Sequence, residues 1–140
     1  MTLKAFRVDT WSATIDDRTG GAADKIEPLS KAGANFEFVF TRRTPEQPGM
    51  GVMFVTPVKG KKVIEAAQAL GFGKALTMHA VRIEGADKPG VTASIMRALA
   101  SAGISFRALS ANVIGRNFVA FLALDSAEDA AKTVGLLKKI

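Results

Sequence analysis

Asp17-Arg18-Thr19-Gly20 and Asp87-Lys88-Pro89-Gly90 stand 70 positions apart in a chain of 140 residues. Under that shift Asp17, Gly20, Ala23, Leu29, Ala32, Gly33 and Phe36 fall on Asp87, Gly90, Ala93, Leu99, Ala102, Gly103 and Phe106. These are seven identities in a window of twenty, where ordinary composition gives about one or two. The register continues outward: Lys4-Ala5-Phe6 meets Lys74-Ala75-Leu76, and Trp11 and Ala13 meet Val81 and Ile83. The sequence reads as a tandem duplication, with repeats over residues 1–72 and 73–140.

A unit of about 70 residues buries only about 60% of its unfolded surface and is marginal alone, so the two halves are expected to fold together. With 48% hydrophobic and 23% charged residues, the composition is globular. No apolar run approaches the roughly 20 residues that span a bilayer, and the beginning of the chain lacks a basic-then-apolar signal pattern. The absence of cysteine excludes disulfides and thiolate metal sites and fits a reducing compartment, so the expected location is cytoplasmic. The net charge of +6 is spread over separate clusters such as Arg42-Arg43, Lys59-Lys61-Lys62 and Lys138-Lys139. No basic run is interleaved with aromatics, which argues for a solvated surface and against nucleic acid.

Each half reads as strand, helix, strand, strand, helix. In the first, residues 4–15 are strand-like, a helix runs from Gly20 to a stop at Gly33, and Phe36, Phe38 and Phe40 alternate as a half-buried strand assigned to the core. Thr44-Pro45-Glu46-Gln47-Pro48-Gly49 is a turn, residues 50–56 a strand, and Val63, Ile64, Ala67 and Leu70 a helical stripe closed by Gly71. In the second, residues 77–85 form a strand. Val91, Ile95, Ala98, Leu99 and Ala102 follow on one helical face ended by Gly103. Strands over 106–113 and 118–124 flank a turn, and Ser126 with Asp129 makes a capping box for a last helix. Gly73-Lys74-Ala75-Leu76 can supply a fourth strand to the first repeat, whereas the second ends at Ile140 without one. The counterpart segment lies at the other end of the chain, so the N-terminal strand is expected to cross over and complete the second repeat's sheet; otherwise that edge stays open or takes a partner chain.

Two βαββαβ-like units, each with an Asp-x-Pro-Gly-like element before its first helix, resemble the ACT-domain family. The second half is the closer match: Val81-Arg82-Ile83-Glu84-Gly85-Ala86-Asp87-Lys88-Pro89-Gly90-Val91, then a helix and Ala102-Gly103-Ile104-Ser105-Phe106. In the first half Thr19 replaces the proline and Gly21 the valine, but Asn35 keeps the asparagine where the second half has Ser105. The resemblance implies an α+β fold of two ferredoxin-like repeats with antiparallel sheets side by side. It also implies a regulatory module that binds a small effector, often an amino acid, between paired domains. Carried over by position, it implicates Asp17, Arg18, Thr19, Gly20 and Gly21 with Asn35, and Asp87, Lys88, Pro89, Gly90 and Val91 with Ser105. The departures at Thr19 and Ser105 imply sites of unequal affinity. The implied partners are a small-molecule ligand, a second copy of the chain and a separate enzyme, with no membrane.

Elementary chemistry supports such a site. Glycine at 20 or 90 lets the backbone approach a ligand closely, and proline at 89 suits a first helical turn. The free amides of the helix start seat a carboxylate, and the dipole adds about 0.3–1 kcal/mol when exposed. Asp17 or Asp87 can accept from a ligand ammonium, and Asn35 or Ser105 can bond either group. The bland alternative is that both aspartates are helix N-caps.

One histidine, His79, and no cysteine or tyrosine leave few candidates for a nucleophile or proton shuttle. No catalytic residue is assigned. No metal or cofactor is expected either, since no loop has the rhythm of a calcium site and Gly20-Gly21 is too short to cradle phosphate. The reading is therefore a non-enzymatic small-molecule sensor. The alternatives are an interaction module that regulates an enzyme by contact alone, or an RNA-binding protein.

Overall fold

The computed structural model describes residues 2–140. The chain runs β1 (Leu3–Val8), β2 (Trp11–Asp16), α1 (Gly21–Lys31), β3 (Phe38–Arg43), β4 (Met50–Thr56), α2 (Lys61–Ala69) and β5 (Gly73–Lys74). It continues through β6 (His79–Ala86), α3 (Val91–Ser101), β7 (Phe106–Ile114), β8 (Asn117–Leu124) and α4 (Ala127–Leu137). Two four-stranded sheets result, ordered β3-β4-β2-β5 and β1-β6-β8-β7, with every pairing antiparallel. The second order repeats the first with β1 standing where β5 stands. The N-terminal strand thus completes the sheet of the second repeat.

Residues 4–15, expected as one strand, form two. The chain leaves one sheet and enters the other at Asp9 and Thr10, and local bonds hold this crossing. Thr56 Oγ1 donates to the Asp9 carbonyl at 2.8 Å, and the Ala75 amide donates to the Thr10 carbonyl at 2.8 Å. The compact units are accordingly Asp9–Ala75 and β1 together with Leu76–Ile140, rather than contiguous halves.

The unit Asp9–Ala75 buries Trp11, Ala13 and Ile15 of β2 and Met53 and Val55 of β4 beneath Leu29 of α1 and Ala67 of α2. Alternation along β2 puts its odd-numbered residues on this helix-covered face. The phenylalanines of the second predicted strand behave differently from expectation. Phe36 packs against the core, but Phe40 is 44% exposed and stacks on Phe54 with ring centroids 6.4 Å apart. The reason is the face: Phe40 stands opposite Phe54, on the side of β4 turned away from the core residues Met53 and Val55.

In the other unit Leu3 and Ala5 of β1 join Val81 and Ile83 of β6 and Leu122 and Leu124 of β8 under α3 and α4. β1 pairs with β6 from Leu3↔Gly85 to Val8↔Ala80, and α4 packs on both strands. The predicted capping box is present, with the Asp129 amide donating to Ser126 Oγ at 3.0 Å.

Because Leu3 is buried, Leu3→Ala is expected to destabilise this unit by about 2–3 kcal/mol. Deleting residues 2–7 should strip hydrogen-exchange protection from β6 while Trp11, buried in the other unit, keeps its folded fluorescence. Unchanged protection at Val81 and Leu122 in the deletion variant would contradict the role assigned to β1.

Candidate functional site

The two motifs build the same local structure. The Val91 amide donates to the Lys88 carbonyl at 3.3 Å and the Gly21 amide to the Arg18 carbonyl at 3.0 Å, each closing a four-residue turn. Gly90 at φ 87°, ψ 1° and Gly20 at φ 88°, ψ −7° occupy the third position of that turn. These are the dihedrals of a type II turn, which requires a positive φ there and favours proline just before it. Pro89 therefore serves the turn and precedes the helix, instead of opening its first turn as the sequence suggested. Thr19 takes the same place without proline's preset φ.

Glycine is the N-cap in both cases, and no side chain caps either helix. The aspartates are not the caps. Asp17 and Asp87 instead pin their loops to the neighbouring hairpins through their amides, which donate to the Gly49 carbonyl at 2.9 Å and the Arg116 carbonyl at 2.8 Å. At the start of α3 the first bond of the helical ladder runs from the Ser94 amide to the Gly90 carbonyl. The Thr92 and Ala93 amides are left without a partner among the described residues. They border a groove of about 450 Å³ between the turn and the β7–β8 hairpin, lined also by Asp87, Lys88, Asn112 and Val113.

The two turns differ in electrostatics. In the first, Arg18 bonds the Asp24 carboxylate through Nη2, approaches Asp16 at 3.6 Å and donates to the Thr19 carbonyl at 3.2 Å. Asp24, by hydrogen bond and then by charge, raises the Arg18 pKa above its ordinary value. Asp17 accepts from Arg43 Nε at 2.9 Å and 3.1 Å. These exposed pairs add little stability, but they occupy the charges around the turn. In the second turn neither Asp87 nor Lys88 has an ion-pair partner among the described residues. The open turn is the one after β6.

Asn35 and Ser105 lie elsewhere. Both follow helix ends closed by Schellman motifs: Ala34 N–H to Leu29 C=O with Gly33 N–H to Ser30 C=O, and Ile104 N–H to Leu99 C=O with Gly103 N–H to Ala100 C=O. The eleven residues of α3 put about 16 Å between its Gly90 end and its Ser105 end. Within one unit the structure therefore does not bring Ser105 to the Asp87 turn, or Asn35 to the Asp17 turn. Ser105 borders a separate groove with Met96 and Phe106. His79 is half-buried at the start of β6, opposite Leu124. Among the described residues no group of three or more His, Asp or Glu is placed to hold a metal, and no helix is long and apolar enough to cross a membrane.

Sequence reasoning took Gly21 as a departure from the valine of the motif and missed its steric cause. A Cβ at Gly21 would sit 2.1 Å from the Asp16 carbonyl oxygen, so the chain there has no room for a side chain. Gly21→Val is accordingly expected to cost more than about 2 kcal/mol in chemical denaturation of the Asp9–Ala75 unit. A variant as stable as the parent would show that the turn can open to accept the motif residue.

Residues 78–139 match the family model of the ACT domain. No curated protein matches the sequence. Among solved structures, a protein from Bacteroides thetaiotaomicron superposes with a TM-score of 0.77 at 14% identity, over 94% of this chain and 88% of its own. The regulatory subunit of aspartate kinase from Thermus thermophilus gives 0.62 at 16% identity, over 96% and 95%. Its counterpart from Thermus flavus gives 0.59 at 16%, over 98% and 97%. At such identities the likeness is one of fold. The ACT-domain match thus covers residues 78–139, less than half of the chain, and the chain as a whole shares the fold of the aspartate kinase regulatory subunits.

Proposed function

We propose that this chain is a non-enzymatic regulatory protein that binds a small molecule, an amino acid before others, and acts on a separate enzyme chain. The observation that carries the reading is the start of α3. Two amides without a partner among the described residues, at Thr92 and Ala93, border an open groove beside Asp87 and Lys88, whose charges no described neighbour takes up. An α-carboxylate on the amides gains the helix dipole and hydrogen bonds at once, and Asp87 lies beside the same turn to accept from an α-ammonium. Glycine at 90 keeps the turn free of a side chain that would shield those amides. The equivalent residues Asp17, Arg18, Thr19, Gly20 and Gly21 form a weaker or silent site, because Arg43 and Asp24 already take up its charges.

Ser105 and Asn35 take part only if a second unit or a second copy brings the far end of a helix against a turn. A ligand at such a junction would favour one packing of it and so shift a population seen by the partner enzyme. Affinity in the micromolar to millimolar range, about −8 to −4 kcal/mol, is within reach of these few polar contacts.

A second reading, contact-only regulation, draws on the edge strands. Val39 on β3 and Val113 and Ile114 on β7 are exposed apolar side chains on strands with one free edge. A thermal-shift screen of the twenty amino acids separates the readings. At about a hundred times Kd the effective ligand should add about 2.7 kcal/mol of stability. Asp87→Ala should abolish that gain while leaving the ligand-free melting temperature in place. Twenty flat responses would remove the sensor reading and favour the contact-only one.

A further inference from the structure

A second polar constellation lies on β6, away from the α3 turn. Val81 and Ile83 enter the core, so Arg82 and Glu84 share the opposite face of the strand. Arg82 bonds Glu84 Oε1 through Nε at 2.9 Å, with Nη2 also at 2.9 Å, and its guanidinium carbon lies 5.2 Å from the Phe121 ring centroid. Only 16% of the Arg82 side chain is exposed. Arg82 Nη1 and Glu84 Oε2 have no partner among the described residues. Lys4 of β1 stands directly opposite Glu84 in the strand register, exposed and likewise unpaired among the described residues.

These groups border a groove of about 460 Å³, with Thr2, Asn117 and Val119. Gly85 holds β1 close: a Cβ there would sit 2.6 Å from Leu3 Cδ2 and 3.2 Å from the Thr2 carbonyl oxygen. The fold does not ask for the charges. Shifted by 70 positions, Arg82 and Glu84 become Ser12 and Thr14 on β2, which occupies the same place in the other sheet. A largely buried ion pair is a weak source of stability compared with apolar residues of similar volume. Two cations against one anion leave the groove positive, with unused donors from Arg82 and Lys4 and an unused acceptor on Glu84.

We propose that this groove binds a small organic dicarboxylate, its carboxylates met by Arg82 and Lys4 and its ammonium, where it carries one, by Glu84. The site uses none of the residues of the α3 turn and stands independently of the sensor reading there. An amino dicarboxylate suits it better than a plain one, because Glu84 repels a dianion and attracts an ammonium.

The test is an NMR titration of the full chain with L-glutamate and with glutarate at fixed ionic strength. Amide shifts at Lys4, Arg82, Gly85 and Val119 are expected to saturate with Kd below about 10 mM, glutamate binding the tighter. Arg82→Gln should weaken binding by about tenfold or more, the scale of a lost hydrogen bond to a charged group, and Glu84→Gln should erase the preference for glutamate. Lys4→Gln, at an exposed position, should also weaken binding and serves if the Arg82 variant does not fold. No shifts with either compound, shifts confined to Thr92 and Ala93, or wild-type affinity in Lys4→Gln would overturn the proposal.

Discussion

The pairing of β1 with β6 is the contact on which the second unit rests. Six consecutive register pairs set β1 at the edge of the sheet that β6, β8 and β7 build. Leu3 and Ala5 go into the core with that pairing, and α4 packs across both strands. A small unit has little surplus apolar burial, so losing one of four strands removes a large share of what holds it. The duplication thus yields two sheets of the same order while the strand that closes one of them comes from the far end of the chain. The same crossing brings Lys4 and Thr2 to the groove beside Arg82 and Glu84.

The geometry of the candidate site arises where β2 gives way to α1 and β6 to α3. A type II turn forces positive φ at Gly20 and Gly90, and glycine caps the helix without offering a side-chain acceptor. Among the described residues two amides therefore have no partner at each start, those of Ala22 and Ala23 and those of Thr92 and Ala93. What differs between the repeats is the surrounding charge. Arg18, Asp24, Asp17 and Arg43 satisfy one another around the first turn, whereas Asp87 and Lys88 have no ion-pair partner among the described residues at the second. Two turns of similar dihedrals therefore present different electrostatic faces.

Much of this was legible in the sequence because glycine and periodicity are strong signals. Gly33, Gly71 and Gly103 mark helix ends, and each adopts a positive φ where the helix closes. The 70-residue register, which matches Lys4-Ala5-Phe6 with Lys74-Ala75-Leu76, points to β1 as the counterpart of β5. The break at Asp9 and Thr10 was not legible, because strand-forming residues run through it and only tertiary bonds to Thr56 and Ala75 create it. The alternation of Phe36, Phe38 and Phe40 marks a common face but not which face of the sheet the helices cover, and Phe40 lies on the other one with Phe54. Within the candidate site, chain order placed Asp87 and Ser105 in one motif, but a three-turn helix separates them in space. The tight contact at Gly21 depends on a backbone oxygen five residues earlier, which no local pattern reveals.

Backbone nuclear Overhauser contacts of the dilute 140-residue chain address the central claim most directly. Cross-strand contacts linking Leu3 with Gly85, Ala5 with Ile83 and Arg7 with Val81, independent of protein concentration, are the predicted result. Contacts from the first eight residues to the strands of the Asp9–Ala75 unit instead, or none at all, would contradict it.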